Sequence, residues 1–329
     1  MKKIQLTCAH AIVKYLISQK ILVEGKKLPL FAGAFGIFGH GNVACLGQAL
    51  EENKNELPTW RGHHEQNMAL TGIAFSRAKR RKQIFVATSS VGPGSTNMLT
   101  AAAVAMSNRL PMLFLPGDTY ANRMPDPVLQ QVEHFNNPNI TQNDAFKYVT
   151  RYFDRITRPE QILQTFPQAI QTMIDPADCG PACISLSQDV QGETFDYPEE
   201  FFNEKIHTIR RPRPDDYQIK QAADLIKKSK NPIIISGGGI FYSDAMKELS
   251  QFAKKHNIPT AQTVMGYSTM KKDDPYFLGA IGGFGGKAPN DFMKKTDLAI
   301  AIGTKLADFT TGSWTNFENP NFKLVSINV

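Results

Sequence analysis

Short runs of branched apolar residues alternate along this chain with longer stretches of helical periodicity. That alternation constrains the fold before any motif is considered. Strand-like runs, bounded by Gly, Pro or Asn, lie at 29–34, 84–88, 111–116, 182–186, 232–236, 260–264, 298–302 and 323–328. Helical periodicity fills 7–23, 65–77, 96–107, 159–174, 217–228 and 243–256. Strands that alternate with helices belong to parallel sheets buried on both sides. The expected fold class is therefore α/β: two parallel-sheet domains with helices on both faces.

Two domains also suit the length, because 329 residues exceed what one core of about 100–200 residues holds. The break is expected at 191–214, which is polar and contains Tyr197-Pro198-Glu199-Glu200 and Arg210-Arg211-Pro212-Arg213-Pro214. It separates a first domain, 1–190, from a second, 215–329, with 191–214 read as a linker. The last residues, Phe322 to Val329, read as a buried strand, so the chain is expected to stop short of a further segment.

Several function classes are disfavoured at this stage. An apolar content of 42% with 20% charged residues is a globular composition. No apolar run approaches the roughly 18 residues of a membrane span. The start, Met1-Lys2-Lys3, leads into Cys8, His10 and Lys14 without an apolar signal core, so the cytoplasm is the expected location. Net charge is +7, but the basic groups Arg77–Lys82 and Arg210–Arg213 read as a solvated turn and part of the linker, not a nucleic-acid surface. Of the four cysteines, only Cys179 and Cys183 are close in sequence and no second pair complements them. They read as reduced, buried thiols, not zinc ligands.

Four segments carry candidate chemistry. Gly62-His63-His64-Glu65-Gln66-Asn67 precedes a helix of small apolar residues, which predicts a buried helix start. A carboxylate there has a raised pKa unless a cation pairs with it. Equally, Glu65 reads as a helix-start acid favoured by the dipole. Ser89-Ser90-Val91-Gly92-Pro93-Gly94-Ser95-Thr96-Asn97 follows a strand and opens a helix, a turn that presents backbone N–H groups to an anion or a planar ring. Many purely structural turns look the same. Gly39-His40-Gly41 follows another strand, at the sheet edge where parallel sheets bind ligands. Ser236-Gly237-Gly238-Gly239 departs from the dinucleotide fingerprint, so strand-on-helix packing is the simpler reading there.

Taken in order, GIFGHGN, HHEQNMALTGIAFSRA, SSVGPGSTNMLTAA and NRLPMLFLPGD resemble the first domain of thiamine-diphosphate enzymes of the acetolactate synthase superfamily. The resemblance covers essentially the whole chain. The stretches GIFGHGNVACLGQAL, RMPDPVLQQVEHF and TRYFDRITRPEQ resemble a branch that opens a cyclic 1,2-diketone by hydrolysis. The implied fold is a pyrimidine-binding domain followed by a Rossmann-like middle domain. The implied cofactors are thiamine diphosphate and Mg2+, and the implied assembly is a homo-oligomer, at least a dimer. Glu65 takes the position whose carboxyl hydrogen-bonds a ring nitrogen of the cofactor's aminopyrimidine and tunes it. Gly92, Pro93, Gly94 and Asn97 would line the cofactor. His40 would handle protons on substrate oxygens, and Gln130 and Gln131 would lie near the substrate.

One departure qualifies this. The superfamily's third domain holds the diphosphate and metal through Gly-Asp-Gly and a later Asn, and no Asp-Gly pair occurs here. Metal ligands are assigned to none of these residues. Three expectations follow: a piece of the diketone hydrolase, inactive by itself; another carboligase or decarboxylase of the superfamily; or a non-catalytic dimerising module. The Gly-His-Gly loop speaks against the synthases, which carry Pro-Gly-Gly there.

Overall fold

A computed structural model describes residues 2–132 and 134–329. It divides into two compact units, one running to Arg210 and the other covering Arg211–Val329.

The first unit is built on a parallel sheet. Its strand order is Thr59–Arg61, Phe31–Gly36, Ile84–Thr88, Leu113–Phe114 and Ala182–Ser187. Gly117–Asp118 continues beyond Leu113–Phe114 along the same edge of Ala182–Ser187, and Tyr152–Ile156 pairs parallel with the opposite edge of that strand. Alternate residues of Ile84–Thr88 face opposite ways. Ile84 and Val86 join the core under the helix Cys8–Ser18. Phe85 meets Phe75 of the helix Glu65–Ala78 edge-on, with ring centroids 4.8 Å apart. Helices therefore cover both faces, as the alternation predicts.

The second unit is a five-stranded parallel sheet ordered Phe277–Ala280, Thr260–Gln262, Pro232–Ser236, Leu298–Ile302 and Lys323–Ile327. Ile234 and Ile300 pack with Leu249, Ala253 and Leu225 on one face, while Ile233, Ile235 and Ala299 pack with Met293 and Phe292 on the other. Its glycines are packing devices. A Cβ on Gly239 would stand 2.6 Å from the Gly303 Cα, so the helical turn Gly238–Tyr242 sits directly on a strand end.

Three expectations are corrected. The helix expected at 7–23 ends at Ser18, and Gln19–Val23 is a strand that turns through Glu24 and Gly25, both at positive φ, into Lys26–Pro29. The segment 191–214 is not a free linker, because most of it belongs to the first unit. Thr194–Pro198 pairs antiparallel with Lys3–Thr7, and Lys205–His207 pairs parallel with Gln19–Ile21. The strand expected to be buried at the end of the sequence lies at a sheet edge, and in Lys323–Ile327 only Val325 is buried.

The pairing of Lys205–His207 with Gln19–Ile21 has a measurable consequence. Partial burial, with Lys205 nearby, lowers the His207 pKa from 6.5 to about 4, and its Nε2 lies 2.9 Å from Gln19 Oε1. The unfolded chain therefore takes up a proton near pH 6.5 that the folded chain refuses until about pH 4. Stability is full above 6.5 and is lost as pH falls through that window. Urea midpoints at pH 7 and pH 4.5 are expected to differ less in His207→Gln than in the parent. An equal drop in both would remove His207 from the account.

Candidate active site

Because the first sheet is parallel, its strands deliver their following loops to one edge. Phe31–Gly36 leads to the His40 loop, Thr59–Arg61 to Glu65, Ile84–Thr88 to the Gly-Pro-Gly turn, and Ala182–Ser187 to Gln188 and Gln191.

Glu65 is the first residue of its helix, after the cap His64, whose Nδ1 accepts the Asn67 N–H at 3.4 Å. Burial begins at Met68, so the helix start is half-buried where the sequence predicts it buried. Asn97 Nδ2 donates to Glu65 Oε2 at 2.7 Å. No described residue hydrogen-bonds Oε1. Gly94 lies beside it: a Cβ there would come 2.3 Å from Ser90 Oγ and 3.4 Å from Glu65 Oε1. Glu65, Asn97, Gly94 and Ser90 thus form one cluster, three of them expected from the sequence. Pro93 opens the short helical turn Pro93–Thr96.

Gly92 answers to the protein backbone. Its φ is +73°, and a Cβ would stand 1.8 Å from the Gln130 carbonyl oxygen. Only glycine lets the backbone at Gln130 cross the turn there. The Gln130 side chain is exposed, and Gln131 Oε1 turns back to accept the Val128 N–H at 3.1 Å. The structure therefore brings the Gln130 backbone to the turn and commits the Gln131 side chain to its own loop.

His40 is half-buried, with Nδ1 3.0 Å from Gln188 Oε1. Its carbonyl accepts the Val91 N–H at 2.8 Å, which ties its loop to the Gly-Pro-Gly turn. Ser90 lies under both loops, since a Cβ on Gly39 would be 3.1 Å from the Ser90 Cβ. Buried Asn42 braces the same loop, donating to Thr88 Oγ1 at 3.1 Å and accepting the Gly39 N–H at 2.9 Å. Ser90, Asn42, Gln188 and Gln191 carry no mark in the sequence beyond position, each lying at or past a strand's C-terminal end.

Beneath the turn runs a buried polar network. Asp118 Oδ2 accepts from Arg155 Nε at 2.8 Å and from the Ser185 and Thr141 hydroxyls. The second arm of Arg155 lies 3.2 Å from Asp144. Burial pulls the Arg155 pKa down, but Asp118 and then Asp144 outweigh it and raise the pKa. Burial also works against an ionised Asp144, yet Lys147, the Thr141 N–H and Arg155 hold its carboxyl below the ordinary 3.8. Buried Asn143 donates to the Gly117 carbonyl and to Ser185, and accepts from Ser95 in the turn. The network therefore fixes the segment that carries Gly94 and Asn97.

The cysteines play no part in this cluster. Burial raises the Cys179 thiol to about 11 and pushes Cys183 well up, as inert core thiols require. Among the described residues no three His, Cys, Asp or Glu side chains gather as metal ligands, and no helix is long and apolar enough to cross a membrane.

A parallel-sheet unit with a helix-start glutamate beside a Gly-Pro-Gly turn, followed by a second α/β unit, defines a recognisable class. Residues 31–138 match the thiamine pyrophosphate enzyme N-terminal TPP binding domain, and residues 219–329 match the thiamine pyrophosphate enzyme central domain. The chain belongs to the thiamine pyrophosphate enzymes. Within them it is 47% identical over its whole length to 3D-(3,5/4)-trihydroxycyclohexane-1,2-dione hydrolase 1 of Bacillus cereus, covering 51% of that protein. It is also 47% identical to the 3D-(3,5/4)-trihydroxycyclohexane-1,2-dione hydrolase of Clostridium tetani and 46% to that of Bacillus thuringiensis, again over 51% of each. The chain spans about half the length of these relatives.

Proposed function

We propose that this chain supplies the pyrimidine side of a thiamine-diphosphate enzyme that opens trihydroxycyclohexane-1,2-dione hydrolytically to 5-deoxy-glucuronate, in myo-inositol breakdown. The observation that carries it is the Glu65 carboxylate. Asn97 holds one oxygen, and no described residue hydrogen-bonds the other, at the binding edge of the sheet. A carboxyl oxygen able to share a proton is what an aminopyrimidine ring nitrogen requires, so the residues present fit the cofactor.

When bound, thiamine diphosphate supplies a carbon nucleophile for a ketone carbonyl. Glu65 Oε1 would hold a proton towards the ring nitrogen of a bound pyrimidine, while Asn97 keeps the carboxylate from rotating away. Gly94 keeps the space beside Glu65 free of a side chain. His40 Nε2, which no described residue hydrogen-bonds, takes and returns a proton on a substrate oxygen. The Gln130 segment borders the substrate, Gln131 more remotely. None of the described residues is assigned to Mg2+ or to the cofactor's diphosphate. The working form is a cytoplasmic homo-oligomer, at least a dimer.

The test is the product. At the length of its relatives, with thiamine diphosphate and Mg2+, the protein is expected to turn the dione into a single acid that retains every carbon and gains one water. Consumption of pyruvate with no reaction of the dione would replace this reading by a carboligase.

A further inference from the structure

His40 is held at two points, and Gly41 after it at a third, by groups that come from elsewhere in the first unit. The Val91 N–H donates to its carbonyl at 2.8 Å. Gln191, only 2% exposed, donates through Nε2 to the carbonyl of the next residue, Gly41, at 2.5 Å. Gln188, three residues before Gln191, places Oε1 3.0 Å from the ring Nδ1. The two glutamines lie just beyond the strand Ala182–Ser187, and between them they fix the His40 ring and the backbone of the residue that follows it. A loop flanked by Gly39 and Gly41 would otherwise leave that ring free to turn.

An amide oxygen is only an acceptor, so the nitrogen facing it must carry the proton. A neutral imidazole has one N–H, and placing it on Nδ1 leaves the Nε2 lone pair unprotonated. We propose that Gln188 is a positioning residue that holds His40 as the Nδ1–H tautomer and presents an unprotonated Nε2 to a substrate oxygen. This rests on the reading of His40 given above. It adds a residue to the site and specifies which nitrogen works. Gln188 touches no reacting atom itself.

The tautomer can be read without turnover. In the 329-residue chain labelled with 15N-histidine, long-range 1H–15N correlation at a pH where the rings are neutral distinguishes the two nitrogens. The His40 signals are assigned by their loss in His40→Asn. The expected result is Nδ1–H in the parent, retained in Gln188→Glu, whose carboxylate still accepts, and shifted to Nε2–H in Gln188→Leu. An Nε2–H ring in the parent, or an unchanged tautomer in Gln188→Leu, would overturn the proposal. The proton role of His40 fails separately. Undiminished turnover in His40→Asn at the length of the relatives would remove that role, whatever the tautomer.

Discussion

Arg155→Met is expected to lower the unfolding free energy by about 3–5 kcal/mol, because it leaves a buried carboxylate without its cation. Asp118 is 1% exposed at its side chain and Arg155 21%, so water replaces little of what is lost. The two hydroxyls and the Thr119 N–H on Asp118 remain, but neutral donors do not balance a charge. Removing both charges, as in Asp118→Asn with Arg155→Met, leaves no uncompensated ion and should recover part of the loss. Urea denaturation of the two proteins checks this. A cost under about 1 kcal/mol for Arg155→Met would mean the pair behaves like a surface ion pair. Because Asn143 links this network to Ser95, the single variant should also loosen the turn that carries Gly94 and Asn97.

That pair also shows why part of the fold is hidden in the sequence. Tyr152–Ile156 carries Asp154 and Arg155 in mid-strand, and it is not among the strand-like runs of the sequence. In the fold Thr165 donates to Asp154, and Arg155 reaches Asp118, 37 residues earlier. No local pattern encodes a partner at that distance. Gln19–Val23 reads as more helix because apolar residues continue past Ser18 without a breaker. Its strand partners are Lys26–Pro29 nearby and Lys205–His207 far down the chain. The parallel strands Ile84–Thr88, Pro232–Ser236 and Leu298–Ile302 are legible because burial on both faces leaves a continuous branched run.

The site divides the same way. Glu65, Gly94 and Asn97 lie in two contiguous motifs whose order alone marks them. Gln188 acts on His40 across 148 residues, and nothing in Ser-Gln-Asp-Val announces it. Gly92 is expected from its motif to line a cofactor. The structure gives it a different obligation, the crossing of the Gln130 carbonyl.

Glu65→Gln carries the largest expected effect on chemistry. Glutamine has nearly the shape of glutamate, and its carbonyl oxygen can still accept the Asn97 amide, so the helix start and the turn should hold. What disappears is a group able to share a proton with the pyrimidine nitrogen. Removing a positioned acid–base group costs about 10²–10⁴-fold in rate. The loss should fall on kcat, because the interaction matters in the reacting state. The most direct measurement is therefore kcat of Glu65→Gln against the parent, at saturating thiamine diphosphate and Mg2+, in the protein at the length of its relatives. A fall of at least about 10²-fold with an unchanged melting temperature is the predicted result. Turnover within about twofold of the parent would contradict the role given to Glu65, and with it the central claim.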